Sequence, residues 1–349
     1  MHQIWKIALG GLCLASASIN SIAAEVPSPA RPLKVVVIAM FGPEAEPFIK
    51  PLGLTQSMTV PGLAQGSKEA EFEPRMLCNA DDVCLLQAGM GHANAAASTM
   101  ALTLDPQFDL RQTYFMVAGV AGIDPAMGTI GTATWSRYLV DVGIAHEIDA
   151  REMPKGWKAG YFGIFSKGPG VKPKLDYRTE VAQLDEALLQ KVLALTKNAK
   201  LQDDPKAAAY RKLYKEKAAR ALPSVIQCDT LGGDTWWHGH KLGQHARDWT
   251  GLMTDGKGVY CTTQQEDNAT YNALQRAAHA GKVDLKRLMV LRTGINFDRP
   301  HPGQSAFDSL KSDGGGFGIS TQNLYLTGGL VINDILKNWP QWRTGVPAP

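Results

Sequence analysis

The chain has 349 residues, a formal net charge of +3 and a pI near 8.5. This charge is mild and evenly spread, and no basic stripe with interleaved aromatic residues occurs, so the composition argues against a nucleic-acid-binding protein. After an N-terminal leader, no apolar stretch approaches the ~20 residues that a transmembrane helix needs. A channel or carrier formed by the mature chain alone is therefore excluded.

The N-terminal segment has the pattern of a secretory leader. Residues 1–6 are short and cationic, residues 7–19 are apolar, and small residues precede Glu25. We expect a signal peptide over residues 1–24 and a single α/β domain over residues 25–349, in a periplasmic or secreted protein. An uncleaved anchor is the alternative.

The cysteines suit an oxidising compartment, because loss of Cys13 with the leader leaves an even number of them. Cys78 and Cys84 flank a short polar segment, and a hairpin there would bring them together in a disulfide. Cys228 with Cys261 is a second candidate pair, although nothing local forces these two to approach.

Strand and helix patterns alternate in the first part of the mature chain. The pattern predicts a strand at 33–40, a helix at 44–52, a strand at 83–88, a helix at 92–104, a strand at 114–118 followed by a glycine-rich turn at 119–122, and more strand at 128–140. The last segment breaks the alternation, which predicts a sheet that bends or closes on itself.

The second part is less regular but continues the same classes of element. It predicts helices at 178–201, 207–221, 269–280 and 320–336, strands at 224–228 and 288–292, a glycine-rich loop at 314–318, and a surface tail at 337–349. The predicted fold class is α/β with a mixed, bent central sheet.

One apolar run, Leu288 to Arg292, leads into the polar residues Asn296 and Asp298 before Pro300. In α/β sheets the carboxyl ends of strands open onto the ligand crevice, so we expect both polar side chains to face a substrate. A strand followed by an Asx-type turn is the alternative. A second polar cluster, at residues 264–268, lies one short helix upstream.

Other motifs give weaker signals. The turns Gly89-Met-Gly91 and Gly119-Val-Ala-Gly122 lack the spacing of a dinucleotide fingerprint or a P-loop, so no nucleotide cofactor is expected, and tight packing explains them equally well. His238, His240 and His245 lie close together but match no zinc spacing, so we expect no metal.

Six motifs, taken in order, resemble the purine nucleoside permease family. They are Ile38-Ala-Met-Phe-Gly-Pro-Glu44, Gln87-Ala-Gly-Met-Gly91, Val117-Ala-Gly-Val-Ala-Gly122, Gly233-Asp-Thr-Trp-Trp237, Gln265-Glu-Asp-Asn-Ala-Thr270 and Arg292-Thr-Gly-Ile-Asn-Phe-Asp-Arg-Pro300. That family is in turn similar to the nucleoside phosphorylase superfamily, which includes the methylthioadenosine nucleosidases. The resemblance implies a three-layer α/β/α sandwich around a mixed sheet.

The resemblance also implies a purine nucleoside as ligand and assigns roles. Glu266 would accept hydrogen bonds from the ribose hydroxyls, Trp236 would stack on the base, and Asn296 would recognise it, with Asp298 as an alternative acid. The other implied contacts come from Met40, Gly89, Gly119, Gly122 and Gln265.

The implied reaction is cleavage of the N-glycosidic bond, in which the purine accumulates negative charge. A donor at N7, either a neutral carboxylic acid at Asp298 or the amide of Asn296, would lower the barrier. Glu44 lies about where nucleosidases carry the glutamate that activates water, which favours hydrolysis over phosphorolysis because a carboxylate repels phosphate. Glu44 beginning its helix is the alternative.

Phosphate remains open as a co-substrate, with Arg137, Arg292 and Arg299 as its candidate partners. A non-catalytic role is the second hypothesis, in which an exported nucleoside-binding protein captures purine nucleosides for a separate membrane carrier. The resemblance also implies a homo-oligomer, because superfamily members commonly complete each pocket from a neighbouring subunit.

Overall fold

The computed structural model describes residues 29–63 and 75–348, so the predicted signal peptide and its cleavage site lie outside the described residues. The described strands are β1 (Arg31–Pro32), β2 (Val35–Ala39), β3 (Gln56–Met58), β4 (Arg75–Cys78), β5 (Val83–Gln87), β6 (Phe108–Asp109), β7 (Tyr114–Ile123), β8 (Ala133–Trp135), β9 (Tyr138–Asp141), β10 (Ala145–Glu147), β11 (Tyr161–Gly163), β12 (Val181–Gln183), β13 (Val225–Gln227), β14 (Asp229–Gly232), β15 (Tyr260–Gln264) and β16 (Leu288–Phe297).

The helices of these ranges are α1 (Gly42–Ile49), α2 (His92–Leu104), α3 (Glu186–Thr196), α4 (Pro205–Arg211), α5 (His240–Met253), α6 (Asp267–His279), α7 (Ala306–Lys311), α8 (Gly316–Lys337) and α9 (Trp339–Trp342), with a 3₁₀ turn at Leu285–Arg287. Within the described ranges, none of these helices has the length and apolarity required to cross a bilayer.

The main sheet is mixed, as predicted, and it branches at β7, which pairs with β2, β15 and β16. Its path runs β12-β9-β14-β15-β7-β2-β5-β4-β3, and β16 adds to β7 while β8 and β13 continue from β16. Strand β2 pairs with β7 in parallel as far as Val117. Further along β7, strand β15 pairs with it in antiparallel orientation at Gly122 and Ile123. Strand β16 runs parallel along the other side of β7.

Helices cover both faces of this sheet, which confirms the predicted α/β/α layers. In β2, Val35 and Val37 pack with the helices α1, α3 and α8, whereas Val36 and Ile38 pack with α2 and α6. Alternate residues of a strand point to opposite faces, so a continuous apolar run is what a doubly covered strand requires. Full burial of each such side chain stabilises the fold by about 1.5–3 kcal/mol.

Several predicted boundaries are corrected by the structure. The predicted turn at 119–122 is part of β7. The predicted helix at 178–201 begins only at Glu186, because the Asp185 side chain caps it by accepting from the Leu188 amide at 2.9 Å. The charged helix predicted at 207–221 ends at Arg211.

The tail and the glycine-rich loop also differ from expectation. Residues 337–349 were expected to form a surface tail, but Trp342 is buried and its ring meets that of Tyr114 edge-on at 5.0 Å. Helix α8 begins inside the expected loop, at Gly316, where an added Cβ would lie 2.0 Å from the carbonyl oxygen of Ile295. Only a glycine allows that approach.

Both candidate disulfides are present. Cys78 and Cys84 are directly paired residues of β4 and β5, with Cα atoms 4.1 Å apart. The second bond joins Cys228, which follows β13, to Cys261 of β15, with Cα atoms 5.6 Å apart.

Candidate functional site

A cavity of about 320 Å³ opens where the carboxyl ends of β2, β7 and β16 meet the end of β15. This is the edge at which open α/β sheets bind ligands. Its wall consists of Met40, Phe41, Glu44, Met90, Val120, Ala121, Gly122, Thr235, Trp236, Thr263, Gln264, Gln265, Glu266, Arg292, Ile295, Asn296 and Phe317.

Glu44 contributes a buried carboxylate to this wall. It lies in the first turn of α1, but its side chain folds back so that Oε2 accepts from the Met40 amide at 2.8 Å and Oε1 from the Val120 amide at 2.7 Å. Burial raises its pKa to about 8, although the nearby Arg292 and the two amides oppose the shift. A carboxyl group with such a pKa can exchange a proton near neutral pH.

Glu266 supplies a second carboxylate, just before α6. Its Oε1 accepts from the Gly91 amide at 3.1 Å, and its Oε2 accepts from Arg292 Nη2 at 3.0 Å and from the Gln265 amide at 3.2 Å. A carboxylate offers about four lone-pair positions, so these contacts leave acceptor capacity for a ligand hydroxyl.

Arg292 lies buried beside both acids in the cavity wall and has a further partner, Asp267, that was not predicted from the sequence. Asp267 accepts from its Nε at 3.1 Å and its Nη2 at 2.5 Å, and Nη1 donates to the Val120 carbonyl at 2.9 Å. Asp267 has no solvent exposure and is not part of the cavity wall. The sequence feature that could have identified Asp267 is its position beside Glu266 in the polar cluster 264–268.

Asn296 reaches the cavity through a β-bulge. The pairing of β16 with β7 shifts between Gly294 and Asn296, which leaves Ile295 as the extra residue, and both Ile295 and Asn296 line the cavity. The Asn296 amide donates through Nδ2 to the Phe297 carbonyl at 2.8 Å, while its buried Oδ1 has no hydrogen-bond partner among the described residues. A ligand N–H would satisfy that oxygen.

Asp298 lies elsewhere, contrary to the expectation that it faces a substrate with Asn296. Strand β16 ends at Phe297, and the Asp298 carboxylate accepts from the Tyr260 hydroxyl at 2.9 Å and from Arg299 Nε at 2.7 Å. Burial raises its pKa to about 6, while Arg299 opposes the rise. Arg299 also pairs with Asp124 at 2.7 Å. Asp298 is absent from the cavity wall.

Trp236 forms part of the mouth of the cavity and is 57% exposed. Met90 and Phe317 are also exposed there, and the Phe317 ring lies 6.2 Å from that of Phe41. Phe317 was not anticipated from the sequence, because it lies at the start of α8 in a segment predicted to be a loop. The mouth is thus bordered by apolar surface of the kind that a flat heteroaromatic ring can contact.

The remaining predicted contacts divide into two groups. Met40, Gly122 and Gln265 line the cavity, whereas Gly89 and Gly119 do not. Gly119 lies beneath the wall, where an added Cβ would come within 2.1 Å of Met40 Cε and 2.5 Å of Arg292 Nη1. Gly89 has a φ of +89°, which a turn with a side chain would rarely adopt.

Of the three arginines considered for phosphate, only Arg292 is part of the cavity wall. Arg137 pairs with Glu186 at 2.8 Å on the surface, and Arg299 belongs to the Asp298 cluster. Within residues 29–63 and 75–348, no group of three or more His, Cys, Asp or Glu side chains could hold a metal ion. Burial lowers the pKa of His238 to about 4.

Comparison with known proteins places the chain in a family. The model of the purine nucleoside permease (NUP) family matches residues 32–347. The chain belongs to the purine nucleoside permease family. A purine nucleoside permease of Candida albicans is 37% identical over 313 residues, covering 88% of this chain and 75% of that protein. A probable purine nucleoside permease of Schizosaccharomyces pombe is 36% identical, covering 88% and 90%.

Two solved structures share the fold of this chain. A 5′-methylthioadenosine/S-adenosylhomocysteine nucleosidase of Helicobacter pylori superposes with a TM-score of 0.51 at 12% identity, covering 86% of this chain and 98% of that one. The futalosine hydrolase of the same organism gives 0.50 at 12% identity, with 86% and 98% covered. The permease family member described here therefore has the fold of these nucleosidases, as the sequence motifs predicted.

Proposed function

We propose that this protein binds a purine nucleoside in the cavity and hydrolyses its N-glycosidic bond. The observation that carries this proposal is the convergence of two buried carboxylates, Glu44 and Glu266, on a cavity that also contains an unsatisfied amide oxygen on Asn296. The family name and the nucleosidase fold support the same ligand class.

The sugar would lie at the Glu266 end. The sugar hydroxyls can donate hydrogen bonds to an ionised carboxylate. Arg292 and the Gly91 amide hold the Glu266 carboxylate in place. The base would lie between Trp236 and Asn296. The free Oδ1 of Asn296 would accept from a purine N–H, and the second hydrogen of its Nδ2 would remain for a ring nitrogen.

In the proposed reaction Glu44 accepts a proton from water as the water oxygen forms a bond to C1′. The bond from C1′ to N9 breaks, its electron pair passes to the purine, and a proton from solvent completes the free base. Proton removal by a positioned base accelerates such a step by about 10²–10⁴-fold. Hydrogen bonds from Asn296 to the leaving purine would stabilise its developing charge.

Water is the proposed acceptor because the wall of the cavity is acidic. Arg292 is surrounded by Glu44, Glu266 and Asp267, so its charge is already compensated before a phosphate ion could approach. Phosphorolysis would need an uncompensated cation at this place.

An assay of the pure protein with inosine, adenosine and guanosine tests the proposal. Free base and ribose should appear at the same rate with and without phosphate. Base release that requires phosphate would contradict hydrolysis, and ribose 1-phosphate would then be the second product.

Nucleoside capture for uptake is the second candidate function. It is favoured by the amide at Asn296, which cannot transfer a proton to the leaving base as a carboxylic acid could, and by the names of the curated relatives. In this role the leader would direct the protein to the periplasm or the exterior, where a membrane carrier would complete uptake. Micromolar binding with no base release under either condition would support it.

We also propose that copies of the chain associate. The exposed side chains of Met90, Trp236 and Phe317 at the mouth form apolar surface that a neighbouring subunit would cover. Sedimentation of the pure protein as a monomer at micromolar concentration would argue against this assembly.

A further inference from the structure

Asp267 is a charged side chain buried behind the cavity wall. Its carboxylate has no solvent exposure, it begins α6 one residue after Glu266, and it holds the Nε and Nη2 edge of Arg292. Burial of a charge is costly unless it is paired and hydrogen-bonded. Here the pairing is with a cation that itself lines the cavity.

The contact between Asp267 and Arg292 affects both acids of the site, Glu266 and Glu44, because Arg292 is rigid. A guanidinium is planar and rigid, so fixing one edge also fixes the directions of its other donors. Nη2 donates to Glu266 at 3.0 Å, and Nη1 donates to the carbonyl of Val120 at 2.9 Å. The amide of Val120 in turn holds Glu44 at 2.7 Å. Asp267 therefore helps to place Glu266 through Arg292, and Glu44 through Arg292 and Val120.

Asp267 also sets the sign of the charge at the wall. With Glu266 and Asp267 ionised beside one guanidinium, this part of the wall has one negative charge in excess. In a site that excludes water such a charge acts on ligands more strongly than it would in bulk solvent. A negative charge at such a place repels anions but not neutral ligands.

We infer that Asp267 is a positioning and specificity residue of this cavity. It holds Arg292 so that Glu266 faces the hydroxyls of a sugar, and its charge excludes anionic ligands such as inorganic phosphate and nucleosides with a 5′-phosphate. The inference rests on the proposed function for the identity of the ligand, whereas exclusion of anions can be measured without turnover.

Calorimetric titration of Asp267→Asn with inosine, hypoxanthine and inorganic phosphate tests this inference, with all chains carrying Glu44→Gln so that inosine is bound and not hydrolysed. Inosine should bind about tenfold more weakly or worse, the effect of disturbing a hydrogen bond to a charged group. Hypoxanthine affinity should be unchanged, and phosphate affinity should rise roughly tenfold or more as the excess charge is removed. Asp203→Asn is the matched control, because Asp203 forms a two-point pair with Arg211 at 2.6 and 2.7 Å outside the cavity wall.

A purely structural role predicts a different pattern. Equal losses of inosine and hypoxanthine affinity with no change for phosphate would overturn the inference. If Asp267→Asn does not fold, Asp267→Glu keeps the charge but displaces Arg292, so inosine should weaken while phosphate remains excluded; wild-type affinity for inosine in that variant would overturn positioning. If the wild type binds inosine without releasing base, hydrolysis fails and the positioning inference is still tested.

Discussion

Two buried arginines lie close together in sequence, Arg292 within β16 and Arg299 two residues after its end, and they have different surroundings. Arg292 pairs with Glu266 and Asp267, and Arg299 pairs with Asp298 and Asp124. In each cluster a buried guanidinium lies between two buried carboxylates, and Arg247 adds a second guanidinium to the Arg299 cluster by pairing with Asp124 at 2.7 Å. Burial of the carboxylates alone does not distinguish the two clusters.

The difference lies in what each cluster faces. Arg292 and Glu266 line the cavity, whereas Asp298 is occupied by Arg299 and by the hydroxyl of Tyr260. The bulge at Ile295 follows Arg292 and brings Asn296 to the cavity, and the strand ends at Phe297, before Asp298 and Arg299. A buried charge cluster can take part in ligand chemistry only where some of its hydrogen-bonding capacity faces open space.

Of the substitutions in the Arg292 cluster and the cavity wall, Glu44→Gln should lower the rate of hydrolysis most. We expect hydrolysis to fall by about 10²–10⁴-fold, because the amide cannot accept a proton. In the wild type kcat/KM should rise with pH towards the pKa of about 8, since only the ionised carboxyl group accepts the proton. The rise should disappear in the variant. If kcat/KM of Glu44→Gln still rises with pH, the titrating group is not Glu44.

Asp298→Asn should affect stability instead of ligand affinity. We expect a loss of about 3 kcal/mol in the free energy of unfolding, because Arg299 and Tyr260 lose a charged partner in a buried cluster. Urea denaturation measures the loss, and calorimetry should find inosine affinity close to wild type. A large fall in turnover with unchanged stability would instead place Asp298 in the reaction and erase the distinction between the clusters.

Glu266→Ala should weaken the binding of a nucleoside but not the binding of its free base. Inosine affinity should fall by about 1.5–3 kcal/mol, the value of hydrogen bonds to a charged acceptor. Hypoxanthine affinity should stay nearly unchanged, because the free base has no ribose hydroxyls. Competition titrations with both ligands measure the two affinities, and equal losses would contradict the assignment of Glu266 to the sugar.

Trp236→Ala should have the smallest effect, since the side chain lies at the exposed mouth. Loss of aromatic stacking is worth about 0.5–1.5 kcal/mol, so purine nucleosides should lose several-fold in affinity and pyrimidine nucleosides less. The ratio of inosine to uridine affinity checks this prediction. An unchanged ratio would mean that Trp236 does not contact the base.

Much of the fold was predictable because its determinants are local. Strand β2 is an apolar run, and α2 begins and ends at the predicted residues, His92 and Leu104. Motif order also predicted the family. Local pattern was not sufficient where tertiary pairing decides the outcome. An example is the continuation of β7 through residues 119–122, where Gly119 allows Met40 and Arg292 to approach the strand.

The same limit explains the candidate site. Glu44, Glu266 and Asn296 could be selected from motifs, but Asp298 could not be separated from them, because its position depends on the end of β16 at Phe297 and on its contacts with Tyr260 and Arg299. The contribution of Asp267 depends on the side chain of Arg292, which is 25 residues distant in sequence. No spacing rule within one strand or helix encodes either relation.

The most direct test of the central claim is a crystal structure with a purine C-riboside, whose carbon–carbon glycosidic bond cannot be hydrolysed. We predict sugar hydroxyls within hydrogen-bonding distance of Glu266, the base between Trp236 and Asn296, and a water molecule between Glu44 and C1′. Binding of this ligand away from Glu266, with Glu44 and Asn296 both out of contact, would contradict the account.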